Sequence, residues 1–165
     1  MVYILIGVSG VGKTSVGKLL AYKLNCDFLD ADDFHSQENI EKMCKGIPLN
    51  DSDRLPWLQN ISDSIKQYEN NNINLVLACS ALKQNYRDRL KYPFVEFIHL
   101  SIEKELVLKR LSNRKGHFFN ISLIESQFNT LEKPKQNVIS VLSDDQIEDV
   151  CDKVLVLIKG TVSEK

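Results

Sequence analysis

The sequence predicts an α/β fold: a three-layer α/β/α domain around a five-stranded parallel sheet. Three observations carry this expectation. An apolar run at 2–6 passes through a glycine-rich turn directly into a helical pattern. Short, nearly all-apolar runs then alternate with helical periodicities along the chain, as strands buried on both faces and covering helices require. No repeat, low-complexity tract or interdomain linker interrupts the 165 residues, a length suited to one domain with a substantial core.

The elements follow in order. Val2-Tyr3-Ile4-Leu5-Ile6 is the first strand, and helical spacing resumes at 14–24. Phe28-Leu29 is a short second strand ending at Asp30-Ala31-Asp32. A helix is expected over 37–44. The stretch 46–53 is rich in turn formers and helix caps, so Asp51 or Ser52 is expected to cap a helix over 52–70. Asn70-Asn71-Asn72 reads as a polar turn before the third strand at 75–78. Beyond it come a helix at 83–91, a strand at 95–100 and a helix at 103–113. Arg114-Lys115-Gly116-His117-Phe118-Phe119, with its cations and a glycine, suggests a lid over about 114–122 that closes on phosphates. A helix at 123–131, a strand at 138–142 and a helix at 145–158 complete the series, and Ser163-Glu164-Lys165 reads as a frayed tail.

The first turn carries chemistry. Gly7-Val8-Ser9-Gly10-Val11-Gly12-Lys13-Thr14 fills every fixed position of GxxxxGK[ST], in the strand–loop–helix setting that motif needs. Its glycines let successive backbone N–H groups converge on phosphate oxygens, and the helix N-terminus adds partial positive charge. Lys13 is expected to reach the outer phosphates of a nucleoside triphosphate, and the Thr14 hydroxyl to ligate Mg²⁺. Asp30 and Asp32, two apart at a strand end, are expected on the same side of an extended backbone. One carboxylate would serve the metal and the other accept a proton from an attacking hydroxyl. An Asn-Lys-x-Asp motif of the guanine-specific type is absent. Small size, the Asp pair and the cationic segment together favour phosphoryl transfer to a small metabolite.

Bulk properties narrow the class. Hydrophobic content of 43% and charged content of 26% are ordinary for a globular protein. A net charge of −1 argues against a mainly electrostatic grip on nucleic acid or membrane. The apolar runs are too short to span a bilayer, and the first leads straight into the glycine-rich loop rather than a cleavage site. Cys26, Cys44, Cys79 and Cys151 are dispersed, which favours reduced thiols in a cytoplasmic protein over disulfides or a structural metal.

Beyond the loop, a longer series of motifs is specific. It runs through Phe28-Leu29-Asp30-Ala31-Asp32-Asp33-Phe34-His35, Asn39-Ile40-Glu41-Lys42-Met43 and Pro48-Leu49-Asn50-Asp51-Ser52-Asp53-Arg54 with Pro56-Trp57-Leu58. Cys79-Ser80-Ala81-Leu82-Lys83, Tyr86-Arg87-Asp88, the 114–119 segment, Gln127-Phe128 and Thr130-Leu131-Glu132 continue it. In this order they resemble the gluconate kinase family, among the shikimate-kinase-like and nucleoside-monophosphate-kinase-like phosphate-loop proteins, over nearly the whole chain. Shikimate kinases carry a glycine-rich segment where this chain has 79–83. Relatives often carry Pro where this chain has Ser36.

The resemblance implies ATP and Mg²⁺ as cofactors, D-gluconate as acceptor and a homodimer. It implies that residues 7–14 cradle the ATP phosphates, that Thr14 and Asp30 organise Mg²⁺, and that Asp32 faces the acceptor hydroxyl. His35 and Arg54 would line the acceptor pocket in a helical region over about 35–60. Lys83 and Arg87 are further candidates for the anionic acceptor. Arg114 would neutralise charge on the transferring phosphoryl group, and Arg110 would stack on adenine. Trp57 is expected in the core or pocket wall, and Gln127 is left unassigned between a sugar hydroxyl and solvent.

Overall fold

The computed structural model describes residues 1–113, 121–135 and 138–162. Five parallel strands form one sheet in the order β2-β3-β1-β4-β5. They are β1 (Val2–Ile6), β2 (Asp27–Asp30), β3 (Leu75–Ala78), β4 (Val95–Ser101) and β5 (Ile139–Leu142). β1 is central, with Val2 level with Leu75 on one side and Val95 on the other. Every residue of β1 and β3 is buried, which is why these runs are apolar throughout rather than alternating.

Pleating divides the strand side chains between two cores. Val2, Ile4 and Ile6 join Leu75, Leu77 and Phe97 on one face. That face is covered by Trp57, Leu58, Ile61 and Ile65 of α3 (Asp51–Asn70) and by Tyr86 of α4 (Gln84–Arg89). Tyr3 and Leu5 join Val76, Ile98 and Leu100 on the other face. There α1 (Lys13–Leu24), α5 (Lys104–Ser112), α6 (Ile121–Thr130) and α7 (Ile147–Val162) supply Val16, Leu20, Val107, Ile124 and Val154. The remaining helix, α2 (Gln37–Cys44), lies between β2 and α3 in the chain.

Two local expectations need correction. The α3 cap is Asn50, not Asp51 or Ser52. The Asn50 side chain accepts from the Asp53 N–H while the Asp53 carboxylate accepts from the Asn50 N–H, and that reciprocal pair sets the helix start one residue earlier. The chain at Asp32 is also not extended. Asp30 ends β2, and its Oδ1 accepts from the Asp32 N–H at 3.0 Å, which starts a 3₁₀ turn over Ala31–Phe34. Ser36 caps α2 by accepting from the Asn39 N–H at 3.2 Å, the job open to it where a proline has none.

Candidate active site

The loop at 7–12 leaves the C-terminal end of the central strand and turns into α1, the place where an open α/β sheet binds its ligands. Two of its glycines are required, the first by space and conformation and the second by conformation alone. Gly7 has φ 145°, and a Cβ there would lie 2.6 Å from the Leu100 carbonyl oxygen. Gly12 has φ 99° as the residue preceding α1. Lys13 folds back over the loop, its Nζ donating to the carbonyls of Gly7 and Val8, each at 2.9 Å. Burial lowers the Lys13 pKa, while Asp32, Cys79 and Asp30 act to raise it.

The Thr14 hydroxyl donates to Asp30 Oδ2 at 2.7 Å, so the first turn of α1 and the end of β2 meet beside the loop. These hard oxygen donors fit Mg²⁺, which typically takes one or two carboxylates and completes its shell with phosphate oxygens and water. Among the described residues no group of three or more His, Cys, Asp or Glu side chains is arranged to hold a metal unaided. Asp32 opens onto the same space. Desolvation by the surrounding protein raises its pKa, the Asp30 charge adds to this, and Lys13 opposes it.

The turn bearing Asp32 is fastened from behind, where Trp57 Nε1 donates to the Ala31 carbonyl at 2.7 Å. The same indole stacks on His35, 4.5 Å between ring centroids. The buried Asn39 amide nitrogen donates to the Asp53 carbonyl at 2.9 Å and lies 3.4 Å from His35 Nδ1. It is therefore the NH₂ end of the side chain, so Nδ1 accepts and the ring proton sits on Nε2. Burial, with the Arg54 charge, pulls the His35 pKa down to about 4. His35 is a neutral hydrogen-bonding group at ordinary pH.

Arg54 is steered by α4. Its guanidinium lies 5.5 Å above the Tyr86 ring, bonds the Leu49 carbonyl and reaches the Tyr86 hydroxyl at 3.5 Å. Tyr86 in turn donates to Asp51. Phosphate loop, Asp30, Asp32, His35 and Arg54 thus line one cavity of about 560 Å³, within the usual range for a small-molecule site. Ile40, Met43 and Leu49 give it an apolar wall from α2 and the segment that follows. A second hollow of about 350 Å³ adjoins the back of the loop, where Gly10 and Gly12 meet Arg110, Ser143 and Asp145.

The other expected residues stand elsewhere. Lys83 Nζ pairs with Asp51 at 2.9 Å and is outside the cavity lining. Arg87, expected to meet the acceptor, is instead 2% exposed. It donates to the carbonyls of Ala81, Leu82 and Glu132, tying the segment after β3 to the end of α6. Arg114 and most of the expected lid lie outside the described residues. Gln127, left unassigned by the sequence, lines the cavity and bonds Ser9. The grip of Trp57 on Ala31 and of Ser143 Oγ on the Val11 carbonyl, at 2.6 Å, also had no signal in the sequence.

A glycine-rich phosphate loop, a Thr–Asp oxygen pair and a second carboxylate in one sheet-end cavity define a small-molecule kinase of the phosphate-loop class. Comparison with known proteins gives the particular family. The model of the shikimate kinase family matches residues 9–156. A probable gluconokinase of Dictyostelium discoideum is 46% identical over 148 residues, 85% of this chain and 74% of its own. The thermoresistant gluconokinase of Escherichia coli (strain K12) is 41% identical over 163 residues, 96% of this chain and 93% of its own. The crystal structure of a gluconokinase from Sinorhizobium meliloti 1021 superposes with a TM-score of 0.85 at 35% identity, covering 93% of this chain and 89% of that one. Shikimate kinase from Aquifex aeolicus, at 19% identity and a TM-score of 0.63, shares the fold. The chain belongs to the shikimate kinase family in this broad sense and, within it, to the gluconokinases.

Proposed function

We propose that this protein transfers the γ-phosphoryl group of ATP to the 6-hydroxyl of D-gluconate, giving 6-phospho-D-gluconate and ADP. One observation carries the chemistry: Asp32 faces the space between the phosphate loop and the side chains of His35 and Arg54, all lining one cavity. A sugar acid offers what those groups take. Its carboxylate suits the Arg54 guanidinium, and its hydroxyls suit the Nε2–H of neutral His35.

The reaction needs attacking oxygen, phosphorus and leaving oxygen in line, so most of the catalysis is positioning and charge neutralisation. Asp32 holds the 6-hydroxyl and accepts its proton. Lys13 leaves the Gly7 and Val8 carbonyls to meet the outer phosphates, joined by the loop amides. Thr14 and Asp30 would hold Mg²⁺, which when bound neutralises charge on the β- and γ-phosphoryl oxygens. Arg114 adds a cation to the transferring group, and Arg110 in the second hollow stacks on the adenine. Lys83, outside the lining and held by Asp51, is kept as a further candidate for the charge of the acceptor. The reading extends to a cytoplasmic homodimer, which light scattering of the purified protein checks. No helix among the described residues is long and apolar enough to cross a membrane.

The test is an acceptor screen with ATP and Mg²⁺, scored for ADP. Release with gluconate and none with shikimate is expected. Turnover of shikimate instead, or ADP release indifferent to any acceptor, would overturn the proposal.

A further inference from the structure

We infer that Gln127 is a positioning residue for the phosphate loop, gripping Ser9 at both its backbone and its hydroxyl. Gln127 Oε1 accepts from the Ser9 N–H at 2.7 Å, and Gln127 Nε2 donates to Ser9 Oγ at 3.0 Å. One amide side chain satisfies two groups of a single loop residue 118 positions away. Its helix is well seated, because Ile124 of α6 is buried in the core face that carries α1 and Phe128 packs against that same core.

The loop needs such a grip. Three of its six residues between β1 and α1 are glycines at positive φ, so the backbone has conformational freedom to lose, and the Gly7 N–H is held by a long 3.3 Å bond to the Ser80 carbonyl. At the other end Ser143 holds the Val11 carbonyl. Gln127 holds the segment between these two anchors, on the side that lines the cavity.

The hydrogen-bond directions have a consequence for chemistry. The Gln127 NH₂ is the donor, so Ser9 Oγ spends a lone pair and its own hydrogen stays free. Ser9 and Gln127 both line the cavity, so that hydrogen is available to an oxygen of the group being transferred. Gln127 therefore orients a hydroxyl donor as well as a backbone amide. The part of this inference that concerns transfer rests on the kinase reading above; the part that concerns the loop does not.

The experiment uses the full chain as wild type, Gln127→Met, Ser9→Ala and the double variant. Gln127→Met keeps length and loses both bonds; should it fail to fold, Gln127→Ala replaces it. The first readout is hydrogen exchange of the Ser9 amide by NMR without nucleotide, expected to quicken at least tenfold in Gln127→Met. The second is steady-state kinetics with gluconate. Gln127→Met is expected to lower kcat ten- to a hundredfold, with KM for gluconate and Kd for ADP within threefold. The double variant is expected to be no more than threefold slower than Gln127→Met, since the two residues act as one unit. Unchanged exchange at Ser9, a kcat within twofold of wild type, or single-variant losses that multiply would each overturn the inference. Wild-type protein inactive on gluconate would defeat the kinase reading instead, and the exchange comparison would still decide whether Gln127 holds the loop.

Discussion

The imidazole of His35 lies flat on the indole of Trp57, 9° from parallel, while the indole N–H holds the Ala31 carbonyl. One buried side chain thus sets both a ring that lines the cavity and the turn that carries Asp32. It also keeps His35 away from water, which gives a prediction with a definite sign.

The His35 pKa in the folded protein is about 4, below the ordinary 6.5 of the unfolded chain. Between those values the unfolded state binds a proton that the folded state refuses. This group's contribution to stability is therefore complete above pH 6.5 and falls as the pH drops toward 4, by about 3 kcal/mol at most. His35→Gln should flatten that part of the stability–pH curve. An NMR titration should find the ring neutral at pH 6, and a midpoint near 6.5 would contradict the packing described.

Arg87→Met should destabilise the protein by roughly 3 kcal/mol or more, because the Ala81, Leu82 and Glu132 carbonyls lose a buried donor. Denaturant melts measure this directly. KM for gluconate in the folded fraction should stay within threefold of wild type. A large rise in KM at unchanged stability would return Arg87 to the acceptor site.

Arg87 also marks the boundary of what the sequence reveals. A cation four residues after Lys83 on a short helix looks like part of an exposed face, and nothing local says that three carbonyls converge on it. The same holds for Gln127, whose partner is 118 residues away. Strands and helices were legible because two-sided burial leaves an unbroken apolar run such as 75–78, and helical spacing leaves its own period. The phosphate loop was legible because its chemistry is contiguous. The turn at Asp32 was not, because it is started by a side chain, Asp30, that also reads naturally as a ligand.

Arg54→Ala should raise KM for gluconate ten- to a hundredfold, the scale of one or two charge-assisted hydrogen bonds, and leave ATP affinity within threefold. Arg54→Lys should recover only part of this, since an ammonium lacks the planar fork and stacks less well on Tyr86. Initial-rate kinetics with each substrate varied in turn separates these effects. Equal loss for both substrates would count against a site confined to the acceptor.

Arg114→Ala should leave ATP binding nearly intact and reduce turnover on the order of a thousandfold, as loss of a transition-state arginine does. Calorimetric titration of ATP beside single-turnover rates makes the comparison. Matching losses in affinity and rate would assign Arg114 to ground-state binding instead.

If Asp32 takes the proton of the attacking hydroxyl, the pH–rate profile of gluconate phosphorylation in wild type and Asp32→Asn must show it. With its pKa raised by desolvation and by the Asp30 charge, Asp32 should give wild-type kcat/KM an acid limb displaced upward from that of an ordinary aspartate, with activity gained as the pH rises through it. Asp32→Asn should lose that limb and at least a hundredfold in kcat while binding ATP normally. A variant that keeps kcat within fivefold of wild type, with the acid limb in place, would contradict it.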